Sequence, residues 1–299
     1  MASHNIRVAR FSTGSVDIHP QHAYRGRSPM YWWILTSRRW LTGRPINVYV
    51  IEHTDGIVLF DTGQDRASVT DPAYFPGGLT GVLYDRLARF DVDPDQTLTR
   101  QLAALGHHVA DVHTAVLSHL HQDHIGGLPE LKHAEIVVSA REWSSMQRPL
   151  AAPRGFLRPH IELDGLSWNQ VHYEPLGDPD LAPFTAGNDL FGDGSLVLLP
   201  TPGHTPGSTS LLVRRPSHAP LLMVADLTYD ADLLAAGHVP GVGNKRQMRE
   251  GVARVNALRQ RFPGLTVLAA HDPTATDRLA ASLAADRKAA SLAAEWMGP

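Results

Sequence analysis

Three imidazoles and one carboxylate fall within six consecutive residues, His119-Leu120-His121-Gln122-Asp123-His124, directly after the apolar run 115–118 (AVLS). This cluster constrains the chain more than any other segment. Neutral imidazole and carboxylate are the zinc ligands that remain when thiolate is absent, and the chain has no cysteine. That absence also removes disulfides and thiol nucleophiles from consideration. In an extended loop, alternation puts His119 and His121 on one side, where both can grip one ion. Asp123 and His124 lie past a bend and can face a second. The spacing is unlike the helical HExxH arrangement, where two histidines sit four apart on one face. Gly126 and Gly127 are expected to turn the backbone sharply into the next helix.

Three more ligand-type residues each lie just past an apolar, strand-like run. His204 sits in Thr201-Pro202-Gly203-His204-Thr205-Pro206-Gly207, after SLVLL, where two prolines and two glycines make a rigid turn. Asp226 ends LLMVAD and His271 ends LTVLAAH. The full set is five His and two Asp. That is too many donors for one tetrahedral zinc, and it suits two zincs sharing one carboxylate.

The runs around these residues organise the chain. Strands are expected at 47–52 and 57–60, joined by a turn through His53-Thr54-Asp55-Gly56, and at 115–118, 135–139, 195–199, 209–214, 221–225 and 265–270. Helices are expected over 81–90, from an Asp95 cap through Leu105, near 129–133, over 247–261, and from Asp277 to Trp296. Residues 1–45 read as a mixed N-terminal extension, and 141–195 as a long irregular insertion that forms a lid or pocket wall. No low-complexity linker divides the chain. A rough duplication, strand-rich then helical in each half, suggests two sheets packed face to face with helices outside, in a single domain over 1–299.

Composition removes other partners. Lys and Arg number 27 against 30 Asp and Glu, a net charge of −3, so no basic surplus exists for nucleic acid. No apolar stretch reaches the ~18 residues of a membrane span, and the N-terminus lacks a signal-peptide core. A cytoplasmic protein is the expectation.

The HLHQDH run, the PGHTPG turn, and the strand-end Asp226 and His271 together resemble the metallo-β-lactamase superfamily, as does the upstream Asp61-Thr62-Gly63. The resemblance covers about residues 47–272. It implies an α+β fold, the αββα sandwich, with a binuclear site at one edge. By motif position His119, His121 and His204 hold one metal, Asp123, His124 and His271 the other, and Asp226 bridges them. Tyr229, three residues after Asp226, resembles the phenol that the N-acyl-homoserine lactonases of the superfamily place beside the substrate carbonyl. Asp61 looks like a residue that orients the site.

The implied activity is opening of an acyl-homoserine lactone ring by a hydroxide held between two Zn2+ ions, with Tyr229 donating to the oxyanion and Asp123 passing a proton to the leaving alkoxide. An apolar trough for the acyl chain is sought among Met30, Tyr31, Trp32 and Trp33, and among Tyr74, Phe75 and Leu79. The same aromatic residues suit ordinary core or the contact of a homodimer. The alternative substrate class is an organophosphate triester or another ester, since those members use the same ligands. A glutathione thioester is disfavoured by the Ala-rich tail, whose cations are Arg278, Arg287 and Lys288. His121, where redox diiron members carry Glu, argues against that class.

Overall fold

The computed structural model describes residues 6–26 and 28–296. Residues 1–5, Arg27 and residues 297–299 of the expected single domain lie outside the described residues. Among the described residues thirteen strands follow in chain order. They are β1 (Arg7–Ile18), β2 (Leu41–His53), β3 (Gly56–Phe60), β4 (Ala88–Asp91), β5 (Val112–Val116), β6 (Glu135–Ser139), β7 (Ser167–Val171), β8 (Glu174–Pro175), β9 (Ala186–Asp189), β10 (Leu196–Pro200), β11 (Thr209–Val213), β12 (Leu221–Ala225) and β13 (Thr266–Ala269). One sheet runs β4-β1-β2-β3-β5-β6-β7 and the other β13-β12-β11-β10-β9-β8.

Period-two alternation explains why the sheets stack and carry helices outside. On β2, Tyr49 and Ile51 enter a core shared with Leu198, Leu211 and Met223 of the second sheet. Val48 and Val50 face the other way, against Leu98, Leu102 and Leu128. On β12 the inward set is Leu221, Met223 and Ala225. Its outward set, Leu222 and Val224, packs on helix Lys245–Arg261 through Met248, Val252, Val255 and Leu258. Burying each such side chain contributes roughly 1.5–3 kcal/mol relative to exposure. Asn244 caps that helix by accepting from the backbone N–H groups of Arg246 and Gln247. The result is the αββα layering expected from the sequence.

Several expectations need correction. The first 45 residues hold a twelve-residue strand, β1, paired antiparallel to β2 and β4. A register shift between Ser12 and Ser15 interrupts its alternation, which is why the strand is not legible as a period. The helix placed at 81–90 spans Gly78–Leu87, and the chain then becomes the edge strand β4. The Asp95 cap is instead Asp93, opening a 3-10 turn before helix Leu98–Ala104. The helix near 129–133 is a 3-10 turn, Leu128–Glu130. The stretch 141–195 is far from irregular: it carries most of helix Ala140–Met146 and strands β7, β8 and β9. Gly126 and Gly127 follow the short helix Gln122–Ile125 and keep ordinary helical dihedrals. Gly126 is needed for close approach, since a Cβ there would stand 2.0 Å from Asp65 N.

Candidate metal centre

All seven sequence-derived ligand residues arrive at one edge of the sandwich. His119, His121, Asp123 and His124 follow β5, His204 lies between β10 and β11, and Asp226 and His271 follow β12 and β13. Their donor atoms form three overlapping groups: His119 with His121 and His204; His119 with His124 and Asp226; Asp123 with His124 and His271. Two non-glycine residues with positive φ stand beside them, Asp61 at 61° and Ala225 at 45°. Such dihedrals cost of order 1–3 kcal/mol each and persist only where the surroundings enforce them. At Ala225 the twist aims Asp226 off the end of β12.

In the first group, the Nε2 atoms of His119 and His204 each lie 3.0 Å from His121 Nδ1. The His121 ring is also hydrogen-bonded to the Arg154 backbone, and Gly155 backs so closely onto its Nε2 that a Cβ would stand 2.5 Å away. Nδ1 is therefore the nitrogen turned into the site. A neutral imidazole nitrogen has one proton or one lone pair, so Nδ1 satisfies at most one of its two neighbours by hydrogen bonding. Three nitrogens at this spacing approach the ~3.3 Å edge of a tetrahedron with metal–nitrogen bonds of about 2.05 Å. The donor chemistry thus fits a cation.

The second group is richer in carboxylate. His271 Nε2 lies 3.4 Å from Asp123 Oδ2 and 3.4 Å from Asp226 Oδ1. His124 Nε2 is 3.5 Å from the same Asp226 oxygen and 3.8 Å from Asp123 Oδ1. Asp226 Oδ2 turns to His204 Nε2 at 3.4 Å. One carboxylate thus offers one oxygen to each group. His124 Nε2 and Asp226 Oδ1 are buried and make no hydrogen bond. Leaving such atoms unsatisfied costs about 1–3 kcal/mol each, and a cation between them relieves both.

The remaining ring nitrogens are held from behind. His124 Nδ1 donates to Asp61 Oδ2 at 2.8 Å. The same carboxylate accepts from the Ser118 backbone N–H at 2.7 Å and from Ser118 Oγ at 2.9 Å, and Ser118 Oγ lies 3.0 Å from His119 Nδ1. Asp61 therefore orients His124 directly and His119 through the serine. His271 Nδ1 donates to the Pro45 carbonyl at 2.9 Å. Arg44, its neighbour on β2, donates to the carbonyls of Tyr229 and His271 at 3.0 and 3.4 Å. Burial pushes the titration of His119 and His121 down, and that of His204 to about 3. Burial acts the same way on His124, but Asp61, Asp226 and Asp123 outweigh it and raise that group. At His271 Asp226 and Asp123 likewise outweigh burial.

Tyr229 Oη donates to Asp226 Oδ2 at 3.0 Å, and its ring stacks on His271 at 5.4 Å. Burial and the two nearby aspartates push the phenol well above its ordinary value, so it stays a protonated donor. A cavity of about 290 Å³ opens at His121 and His204 and is walled by Met30, Tyr31, Ile34, Leu83, Leu87 and Phe156. The aromatic cluster therefore divides: Met30 and Tyr31 line the cavity, Trp33 packs on His22 at 4.9 Å, and Trp32 is 65% exposed. Tyr74 and Phe75 wall a separate, larger cavity, and Leu79 is exposed.

Sequence reasoning missed three residues behind the ligands: Arg44, Arg154 and Glu142. The first two act through backbone contacts that no local pattern announces. Glu142 had a faint signal, standing three residues after Ser139 in the pattern of a helix cap.

Sandwich, strand-end donors and a shared carboxylate define a class of metal-centred proteins. Residues 41–250 match the model of the metallo-β-lactamase superfamily, and the chain belongs to that superfamily. Among curated proteins it is 32% identical over 233 residues to the N-acyl homoserine lactonase AttM of Rhizobium radiobacter, covering 77% of this chain and 83% of that one. Among solved structures it resembles a Bacillus thuringiensis AiiA variant with N-decanoyl-L-homoserine bound at its active site (TM-score 0.69, 19% identity, 89% of this chain and 93% of that one). It also resembles AidC, described as a dizinc quorum-quenching lactonase (TM-score 0.56, 16% identity, 91% and 90%).

Proposed function

We propose that this chain is a binuclear metal-dependent hydrolase that opens the ring of N-acyl-homoserine lactones, with zinc as its metal. The observation that carries the reading is the shared carboxylate Asp226 between two donor groups, the first of which reaches an apolar cavity through His121 and His204. The 32% identity to a lactonase over most of both chains supports the substrate class. His119, His121 and His204 would hold one ion, Asp123, His124 and His271 the other, and Asp226 both. The whole chain acts as one domain in this reading, since both sheets contribute to the core between them.

When bound, paired divalent cations supply Lewis-acid polarisation of a carbonyl and acidification of water near neutral pH. The protein's own residues supply the rest. The cavity wall from Met30 to Phe156 takes the acyl chain and keeps water from it. Tyr229 Oη, a donor held at the shared carboxylate, gives its hydrogen bond to the carbonyl oxygen as negative charge develops there. Asp123, the most exposed of the aspartates at the centre, accepts the proton lost by the attacking water. It returns that proton to the alkoxide released when the ester bond breaks.

Metal analysis of the purified protein, followed by turnover of acyl-homoserine lactones of several chain lengths with paraoxon as competitor, tests this reading. About two equivalents of zinc and faster turnover of lactone than of phosphotriester are expected. Preference for paraoxon would move the chain to the organophosphate triesterases. Protein that neither carries nor takes up a transition metal would end the hydrolase reading.

A further inference from the structure

Four of the five histidines at the centre have a partner for the ring nitrogen that faces away from it: Ser118 Oγ for His119, the Arg154 backbone for His121, Asp61 for His124 and the Pro45 carbonyl for His271. His204 does not. Its Nδ1 is buried and makes no hydrogen bond. Metal-binding histidines usually depend on such a partner for ring orientation, so something else must fix His204.

The loop around His204 is tied instead by Glu142, in helix Ala140–Met146 on the first sheet's side of the molecule. Its side chain is fully buried, and the Arg154 guanidinium acts on it electrostatically without an ion-pair contact among the described residues. Oε2 accepts from Thr205 Oγ1 and from the Gly207 backbone N–H, both at 2.8 Å. Oε1 accepts from the Leu120 backbone N–H at 3.1 Å. Leu120 lies between His119 and His121, and Thr205 directly follows His204. One carboxylate therefore grips both loops that carry the first donor group, one oxygen to each. The Ser139 hydroxyl fixes Glu142 from the other side, accepting from its backbone N–H at 3.1 Å and donating to the Gly207 carbonyl at 2.7 Å. A buried carboxylate with no cation in direct contact is costly, Arg154 acting on it only from beyond ion-pair distance.

We propose that Glu142 is the positioning residue of the first metal position, setting the distance between His121 and His204 in place of the missing partner on His204. This rests on reading those histidines as metal ligands. Glu142→Gln is nearly isosteric but turns an NH2 donor toward either Leu120 N or the Thr205–Gly207 pair, so it cuts one side of the tie. Thr205→Val removes one donor and leaves the carboxylate in place.

Binding of Co2+ to metal-free protein, followed by its visible absorption and by competition with a chelator, reads the two positions separately. Wild-type protein that binds no Co2+ would overturn the function proposed above. With wild-type binding intact, Glu142→Gln is expected to weaken one equivalent by about 10–100-fold and to change its absorption band, the other equivalent shifting less than threefold. Thr205→Val should follow in the same direction by a smaller factor, and it decides the matter if the glutamine variant does not fold. Affinities and spectra like wild type in a variant that merely unfolds at lower temperature would make Glu142 a fold-stabilising residue and overturn the proposal.

Discussion

His119, His121 and His204 are three imidazoles whose burial favours the neutral form, whereas His124 and His271 face Asp61, Asp123 and Asp226, which favour the charged form. The two groups stand side by side and share Asp226. The first has little negative charge of its own, so it depends on the shared carboxylate and on geometry to hold a cation. The second carries its own anions and, in the metal-free protein, partly neutralises itself with protons. A cation entering the second position must displace those protons, while one entering the first meets lone pairs that are already free.

Asp226→Ala tests the sharing and should have the largest effect. Both positions lose a ligand, so metal content should fall below one equivalent and lactone turnover should drop to background. His121→Ala should remove only the first equivalent while also abolishing turnover. A mutant of either kind that keeps two metals and full activity breaks the comparison at its base.

Tyr229→Phe belongs to neither group. The phenol hydroxyl donates to the shared carboxylate, and phenylalanine keeps the ring contacts with His271, His204 and His22, so metal content should stay at the wild-type value. Loss of an oxyanion donor should lower kcat by roughly 10²–10³-fold. Unchanged kcat would remove Tyr229 from the reaction and leave it as packing. Next in size is Asp61→Asn. It keeps the shape but weakens the acceptor for His124 Nδ1, and should cost roughly 10–100-fold in affinity at the second position. An equal loss at the first position would mean that the path through Ser118 to His119 matters as much as the direct bond.

The difference between the groups also explains what the sequence makes legible. Four of the donors lie in one hexad, Asp226 and His271 lie just past apolar strands, and His204 sits in the Pro- and Gly-bounded turn after another. Strand periodicity aims strand-end residues at a common edge once the sandwich forms, so chemistry and placement are both local. Asp61 is readable for the same reason, at the end of β3. Glu142 is not. In AREWSSM it looks like a solvated helix residue, and its burial follows from the second sheet's loop closing over it at Thr205 and Gly207. The strand β1 is hidden by its register shift. Of the pocket wall, Met30 and Tyr31 are legible as part of an aromatic cluster, whereas Leu83 and Leu87 are hidden because helix Met30–Thr36 meets helix Gly78–Leu87 only in the folded molecule.

The last expected effect concerns stability alone, in metal-free protein kept so by chelator. Burial raises the Glu142 carboxyl from 4.5 to about 7, against the pull of its three hydrogen bonds. Between those two values the unfolded chain has released the proton and the folded chain has kept it, so the unfolded state binds fewer protons and stability falls as pH rises. The contribution is complete below pH 4.5 and is lost by about pH 7, by up to about 3 kcal/mol. Glu142→Gln has no such proton. Denaturant unfolding of both proteins from pH 4.5 to 8 should therefore show the wild type losing stability relative to the glutamine variant as pH rises through that window. Parallel curves would place the carboxyl in its ordinary range and make Glu142 a charged tie at every pH at which the first group can bind metal.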